Sequence, residues 1–218
     1  MMISLSLNGR AGRPLVVLCL GCHSDDIEIG CGGTILRLVA EQPHSKFIWA
    51  VFSAIGERRA EAQRVAKLFV GSKRLEQLLL GKFRDGFMPF VGSDVKATFE
   101  KIKKTISPDI IFTHNRRDAH QDHRLLSELT WNTFRNHLIL EYEIPKYDGD
   151  LGQPNFFVPL EKEIYQKKIR YLLDGFATQR PKHWFTEETF LALMRLRGLE
   201  CVAPSGYAEA FYARKLVL

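Results

Sequence analysis

The fold is decided by the stretch PLVVLCLGCHSDDIEIGCGGT, residues 14–34. Its first seven residues form a continuous leucine- and valine-rich run, which is typical of a parallel strand that is buried on both faces. The run ends in an acidic turn that contains a histidine. A glycine-rich segment then leads into an apolar run at residues 35–40, which predicts a helix. A strand, a polar turn and a helix are the first half of a βαβ unit.

The same alternation of strand and helix continues along the chain. Further strands are predicted at residues 46–52, 78–80, 110–112 and 138–143, and helices at 57–69, 95–106, 124–137, 161–176 and 187–197. This pattern implies parallel strands with helical crossovers. We therefore expect an α/β fold with a Rossmann-like, mostly parallel sheet in the order 3-2-1-4-5 and helices on both faces. The looser pattern after Tyr147 predicts a C-terminal subregion over the active-site edge, within a single domain spanning residues 1–218.

Two short clusters of acidic residues and histidines each follow an apolar run. They are HSDD at residues 23–26 and HQDH at residues 120–123. In the predicted strand order the first and fourth strands are neighbours, and ligands bind in the crevice beyond their carboxyl ends. Three ligands drawn from histidine and carboxylate are enough for a catalytic zinc. The alternative is two unrelated turns, because Ser-Asp-Asp is a common helix cap and a lone HxxH is usually a surface feature.

Composition favours a soluble enzyme. The 218 residues are 45% hydrophobic and 26% charged, with a net charge of +6 that is spread along the chain. A basic balance allows an anionic substrate or weak nucleic-acid contact, but no nucleic-acid-binding signature accompanies it. The longest apolar run is too short to cross a bilayer, and no secretory leader is visible. We expect a cytoplasmic protein with no nucleic-acid partner and no stable membrane insertion.

Two further motifs have a structural and a functional interpretation. The pair Cys19-x-x-Cys22 suggests a zinc knuckle or a redox motif, but Cys19 lies inside a predicted strand, so we expect packed thiols. Cys22 adjoins His23 and could affect the site. The glycines of residues 30–33 could cradle a phosphate, but the acidic turn before them would repel an anion. We expect these glycines to allow close packing of the helix.

The two clusters and their surroundings resemble the PIG-L/LmbE-like family of zinc-dependent N-acetyl sugar deacetylases. Residues 22–34 match the family signature (A/P)HPDDE with its following Gly-Gly-Thr, and residues 120–124 match HPDH. Weaker likenesses occur at 108–114, at Arg58-x-x-Glu61, at Asp85-Gly86 and at 207–211. The sequence departs from the pattern at three positions, where neither a ligand nor the base is lost: Cys22, Ser24 and Gln121.

The resemblance implies a role for each matching residue. His23, Asp26 and His123 match the metal ligands, and Asp25 matches the general base that takes a proton from the attacking water. Zinc is the expected ion, although such ligands also accept iron, cobalt or manganese.

Other matching residues would assist the reaction or hold the substrate. His120 matches a histidine that stabilises the oxyanion or protonates the leaving amine, and Asp122 could hold that imidazole in its tautomer. Arg58, Asp85 and His114 are candidate substrate contacts. The alternatives are an exposed helix arginine for Arg58, a turn aspartate for Asp85 and, for His114, a position that supports the metal ligands.

The function expected from the resemblance is metal-dependent removal of the N-acetyl group from an N-acetylglucosamine-type conjugate, which releases acetate and a free amine. One alternative is hydrolysis of another N-acyl or thiol-conjugate amide by the same metal site. Another is a Rossmann-like nucleotide-binding module. The expected partner is a small-molecule amino-sugar conjugate, and the family resemblance implies a homo-oligomer.

Overall fold

The computed structural model describes residues 13–217. Within them, one sheet contains β1 (Val16–Gly21), β2 (Lys46–Val51), β3 (Leu75–Leu80), β4 (Ile110–His114), β5 (Leu138–Tyr142), β6 (Phe156–Pro159) and β7 (Ala208–Ala213). The helices are α1 (Asp26–Glu41), α2 (Glu57–Val70), α3 (Gly92–Thr105), α4 (Gln121–Thr133), α5 (Lys162–Gly175) and α6 (Glu187–Glu200). Short 3-10 turns occur at Met88–Val91 and Ala177–Gln179.

The strand order is β3-β2-β1-β4-β5-β7-β6. The five strands from β3 to β5 are parallel, so the predicted 3-2-1-4-5 order is confirmed. Strand β7 is antiparallel to both β5 and β6 and extends the sheet. Strand β6 lies in the looser stretch after Tyr147, where the sequence pattern predicts no strand; it is only four residues long and ends in a proline.

Side chains of β1 alternate between two apolar layers. Val17 and Cys19 belong to the layer that also contains residues of α1, α2, α5 and α6. Leu18 and Leu20 belong to the opposite layer, which contains residues of α3 and α4. Both faces of the parallel sheet are therefore covered, as a continuous apolar strand requires. None of the helices in residues 13–217 is long and apolar enough to cross a membrane.

Two helices begin earlier than their sequence patterns predict, and this places both clusters at helix N-termini. Helix α1 starts at Asp26 rather than after the glycines, and it bends at Cys31, where φ is −142° and ψ is 15°. Helix α4 starts at Gln121, directly after His120. Glycine disfavours helix in isolation, but here tertiary packing overrides that preference.

The glycines of α1 allow close approach of neighbouring rings. A Cβ added to Gly30 would lie 2.2 Å from the Tyr142 ring, and one added to Gly32 would lie 2.6 Å from the Phe69 ring. The expectation that these glycines serve helix packing is confirmed.

Candidate metal centre

The two clusters meet at the carboxyl ends of β1 and β4, which are adjacent strands. His23 lies in the loop after β1, and Asp26 is the first residue of α1. His123 lies in the first turn of α4. The His23 and His123 ring centroids are 5.2 Å apart, although the residues are 100 positions apart in sequence. The expected convergence of the clusters is therefore observed.

Three atoms of the expected ligand residues form a nearly equilateral triangle. His23 Nδ1 is 3.2 Å from His123 Nε2, and Asp26 Oδ2 is 3.4 Å from His23 Nδ1 and 3.5 Å from His123 Nε2. A tetrahedral zinc with bonds of 2.0–2.1 Å keeps its ligand atoms about 3.3–3.4 Å apart. The side chains are all buried. Their donor set and spacing fit a tetrahedral divalent metal ion.

The protonation states of Asp26 and His123 suit metal binding. Burial alone would raise the pKa of Asp26, but the surrounding imidazoles of His123, His114 and His23 outweigh it and hold that pKa well below the usual range. Burial, with a contribution from His114, lowers the pKa of His123 to about 4. At neutral pH these two residues are thus a carboxylate and a neutral imidazole, the forms that bind metals. Burial would lower the pKa of His23, but the carboxylates of Asp26, Asp122 and Asp85 outweigh it and raise that pKa, so metal binding would displace a proton from that ring.

His123 is oriented by a carboxylate hydrogen-bonded to its other ring nitrogen, and a carboxylate also lies close to the other ring nitrogen of His23. His123 Nδ1 is 3.0 Å from Asp118 Oδ2, and His23 Nε2 is 2.9 Å from Asp85 Oδ1. Lys146 Nζ lies 3.1 Å from Asp118 Oδ1. Such carboxylate–histidine pairs fix the ring orientation of metal ligands. The sequence pattern does not single out Asp118, although its position five residues before His123, in the loop that leads into α4, is a usable signal.

Asp25 lies beside the triangle and faces a different partner. Its Oδ1 accepts a hydrogen bond of 2.8 Å from Arg58 Nη2. Burial raises the pKa of Asp25 above the ordinary value, and the positive charge of Arg58 opposes that rise. A raised carboxyl pKa is what a general base near neutral pH requires. Arg58 also lies 3.8 Å from the half-exposed Asp85, so both expected substrate contacts lie at the mouth of the site.

The arrangement of His120 and Asp122 corrects one expectation. The Asp122 carboxylate does not hold the His120 ring: its oxygens accept hydrogen bonds from the backbone N–H groups of Gly86 (2.7 Å) and Met88 (3.1 Å). Instead, the backbone N–H of Asp122 donates to His120 Nδ1 over 3.3 Å. The reason is that His120 caps α4, so its ring folds over the first turn. Burial and the nearby His23 lower the pKa of His120.

The ring of His114 is completely buried, which favours the supporting position over the substrate contact. The ring stacks on His123 at 3.8 Å, and its Nε2 lies 3.2 Å from Asp26 Oδ2 and 3.1 Å from the Cys22 backbone nitrogen. His114 therefore packs against Asp26 and His123 on the buried side of the triangle. Cys22 is close enough to Asp26, His114 and His123 to be grouped with them, and burial raises the pKa of its thiol.

The chain matches the model of a known protein family. The model of the PIG-L family, described as GlcNAc-PI de-N-acetylase, matches residues 18–134, more than half of the chain. The chain belongs to the PIG-L family. The family resemblance that the two clusters carry is thereby confirmed, and both clusters lie inside the matched stretch.

Relatives of this PIG-L family member include deacetylases. "Uncharacterized deacetylase YaiS" of Escherichia coli K12 is 27% identical over 179 residues, which is 77% of this chain and 91% of the relative. The N,N'-diacetylchitobiose deacetylase of Pyrococcus horikoshii superposes with a TM-score of 0.66 at 21% identity, covering 91% of this chain and 83% of that one.

The same fold also occurs with a different activity. GalB of Pseudomonas putida KT2440, the 4-carboxy-2-hydroxymuconate hydratase, superposes with a TM-score of 0.66 at 16% identity, covering 94% of this chain and 98% of that one. Likeness at such low identity shows the fold alone. The activity has to be argued from the site.

Proposed function

We propose that this PIG-L family protein is a metal-dependent hydrolase that removes the N-acetyl group from an N-acetylglucosamine-type conjugate, releasing acetate and a free amine. One observation carries the proposal: the triangle of His23, Asp26 and His123 lies beside a carboxylate, Asp25, that is not part of it. A hydrolase needs both a metal position and a separate base. The deacetylase relatives support this choice among the activities found with this fold.

His23, Asp26 and His123 would hold the ion, and two nitrogens with one oxygen are a common ligand set for zinc. When bound, a divalent ion supplies Lewis-acid chemistry, by polarising the amide carbonyl and making water more acidic. Asp118 would keep the His123 imidazole in the orientation that presents Nε2. The negative charge of Asp85 lies beside Nε2 of His23, on the side of the ring away from Nδ1.

Asp25 would accept the proton of the attacking water. Arg58 donates to Oδ1 of Asp25, which holds the carboxylate in place and leaves it lone pairs that can accept a proton. Because burial raises the pKa of Asp25, the carboxylate is a stronger base than an exposed aspartate. It can later return this proton to the leaving amine.

His120 would stabilise the developing negative charge on the amide oxygen. Its Nδ1 accepts from the Asp122 backbone, which leaves the proton of the neutral ring on Nε2. Because burial lowers its pKa, the ring is neutral at physiological pH and serves as a hydrogen-bond donor. These contacts favour the oxyanion role over protonation of the amine by a charged imidazole.

The substrate's sugar hydroxyls would bind at the mouth of the site. Arg58 is about one-quarter exposed and Asp85 about half exposed, so each has polar atoms that can reach a ligand. An arginine and an aspartate 3.8 Å apart offer donors and acceptors side by side, which is the chemistry that a vicinal diol requires.

The test is acetate and amine release from a panel of N-acylated compounds. The purified protein is stripped of metal with a chelator, reloaded with zinc, cobalt, iron or manganese, and given N-acetylglucosamine conjugates, other N-acyl amides and thiol conjugates. We expect release of acetate from the amino-sugar conjugates that stops on stripping and returns on reloading. Release from the other amides alone would favour the broader amidase. Stabilisation by nucleotides, with no metal binding, would favour the nucleotide-binding alternative.

A further inference from the structure

Helix α1 carries Asp26 at its first position and bends at Cys31 within the next two turns. A bend in a helix leaves backbone groups without their intrahelical partners. Here these groups are the carbonyl of Ile29, before the bend, and the N–H groups of Gly33 and Thr34, after it. Two charged side chains from distant parts of the chain bind them.

Glu209 of β7 binds the groups that follow the bend. Its Oε1 accepts from the Gly33 N–H (2.7 Å), and its Oε2 accepts from the N–H and the hydroxyl of Thr34 (2.6 Å each). Glu209 thus acts as an N-terminal cap for the second half of α1, supplied from another element. A carboxylate is the favourable charge at that position.

Lys168 of α5 binds the group that precedes the bend. Its Nζ donates to the Ile29 carbonyl (2.6 Å) and to Glu209 Oε1 (2.7 Å), and both charged side chains are only 3% exposed. The N–H of Ile29 donates in turn to the Asp25 carbonyl (3.0 Å). A continuous line of hydrogen bonds therefore connects Glu209, through Lys168 and Ile29, to the turn that carries Asp25 and Asp26.

We propose that Lys168 and Glu209 are positioning residues that hold the bend of α1 and thereby keep Asp26 in place against His23 and His123. The inference rests on the proposed function, because it takes that triangle to be a metal site. Both residues lie outside residues 18–134, the stretch that matches the family model. The C-terminal subregion would then contribute to metal affinity without contacting the ion.

The competing explanation is that Lys168 and Glu209 only stabilise the fold. It predicts that loss of this ion pair affects zinc affinity no more than loss of another buried ion pair. A buried ion pair gives little net stability, since desolvation offsets the attraction of the charges. The chain contains a matched pair for comparison: Arg197 Nη2 lies 2.9 Å from Glu143 Oε1, with both side chains buried. Arg197 and Glu143 hydrogen-bond Gly152 rather than α1.

The experiment compares the double variant Glu209→Gln/Lys168→Met with the control Glu143→Gln/Arg197→Met. Each removes both charges, so no unpaired charge stays buried. Zinc affinity is measured by competition with a chromophoric chelator, and hydrogen exchange of residues 26–34 and thermal unfolding are measured on the metal-free proteins. For Glu209→Gln/Lys168→Met only, we expect zinc binding to be about tenfold weaker and hydrogen exchange in α1 to be faster. We expect a comparable loss of thermal stability in both variants.

Equal zinc affinity in the two variants, or unchanged exchange in α1, would overturn the inference while leaving the proposed function intact. Absence of zinc binding by the wild type would instead overturn the proposed function, and the inference with it. If the double variant does not fold, Thr34→Val removes one hydrogen bond to Glu209 and keeps the ion pair. We then expect a smaller loss of zinc affinity in the same direction, and an unchanged affinity would contradict the inference.

Discussion

At the scale of single residues, two adjacent aspartates have opposite environments. Asp26 is surrounded by imidazoles, which hold its pKa well below the usual range despite burial. Burial raises the pKa of Asp25, and the positive charge of Arg58 opposes that rise. When the environments of two neighbouring titratable groups move their pKa values apart, the groups can take different roles. In our proposal Asp26 is a metal ligand and Asp25 is the base. The chain achieves this because Asp26 begins α1 and Asp25 precedes it.

Asp118→Asn should weaken metal binding. Asp118 accepts from His123 Nδ1, and loss of such a partner costs about 10–100-fold in metal affinity. Asp150→Asn is the matched control, because Asp150 also binds Lys146 but does not bind His123. Zinc affinity of the two variants, measured by chelator competition, should fall only for Asp118→Asn. Equal affinities would show that Asp118 does not orient His123 for metal binding.

Glu28→Gln should change how stability depends on pH. Glu28 is completely buried in α1, and neither of its carboxylate oxygens has a hydrogen-bond partner in residues 13–217. Burial raises its pKa well above the ordinary value. The unfolded chain therefore loses this proton at lower pH than the folded protein, and wild-type stability falls as pH rises above the ordinary glutamate value.

Glutamine does not titrate. The free energy of unfolding of Glu28→Gln, minus that of the wild type, should therefore increase as pH rises. Urea unfolding of the two metal-free proteins between about pH 5 and 8 measures this difference. Groups that do not interact with Glu28 are shared and cancel, and the effect of the Asp25 and Asp26 charges on Glu28 is part of the measured difference. A difference that does not vary with pH would contradict a raised pKa for the buried carboxyl of Glu28.

At the scale of elements, the packing of α1 against the sheet determines where the first cluster lies. Gly30→Ala would place a methyl group within 2.2 Å of the Tyr142 ring. Overpacking of this kind should lower the free energy of unfolding by about 1–3 kcal/mol. Gly92→Ala, in α3, meets no atom within 4 Å and should be neutral or stabilising by up to about 1 kcal/mol. Similar denaturation midpoints for both variants would contradict this account.

The sequence predicts the parallel strands and their order because buried parallel strands are continuous apolar runs. It predicts the convergence of the two clusters for the same reason, since adjacent strands end at the same edge. The start of α1 is not predictable locally, because glycines at residues 30–33 disfavour helix until Tyr142 and Phe69 pack against them. Strand β6 has too few residues for a periodic pattern.

Some features of the site depend on contacts between distant residues and leave no local pattern. Asp122 looks like a partner of its neighbour His120, but its carboxylate instead binds the backbone of residues 86 and 88. Lys168 and Glu209 meet α1 from elements more than 130 positions away. Only the assembled fold shows such contacts.

At the scale of the whole molecule, the site is assembled from both halves of the chain. Two parallel βα units supply the triangle of His23, Asp26 and His123, and the segments after β5 supply Lys146, Lys168 and Glu209. The crevice between β1 and β4 is where an open α/β sheet binds its ligand. The sheet therefore sets the positions of the ligand residues, and under our proposal the C-terminal subregion adjusts them.

The most direct test of the central claim is acetate release by the wild type and by Asp25→Asn, both loaded with zinc, on an N-acetylglucosamine conjugate. Asn keeps the size of the side chain and removes the base. We expect the variant to bind as much zinc as the wild type and to release acetate about 10²–10⁴-fold more slowly. A variant that binds zinc and keeps the wild-type rate, or a zinc-loaded wild type that releases no acetate from any conjugate, would contradict the account.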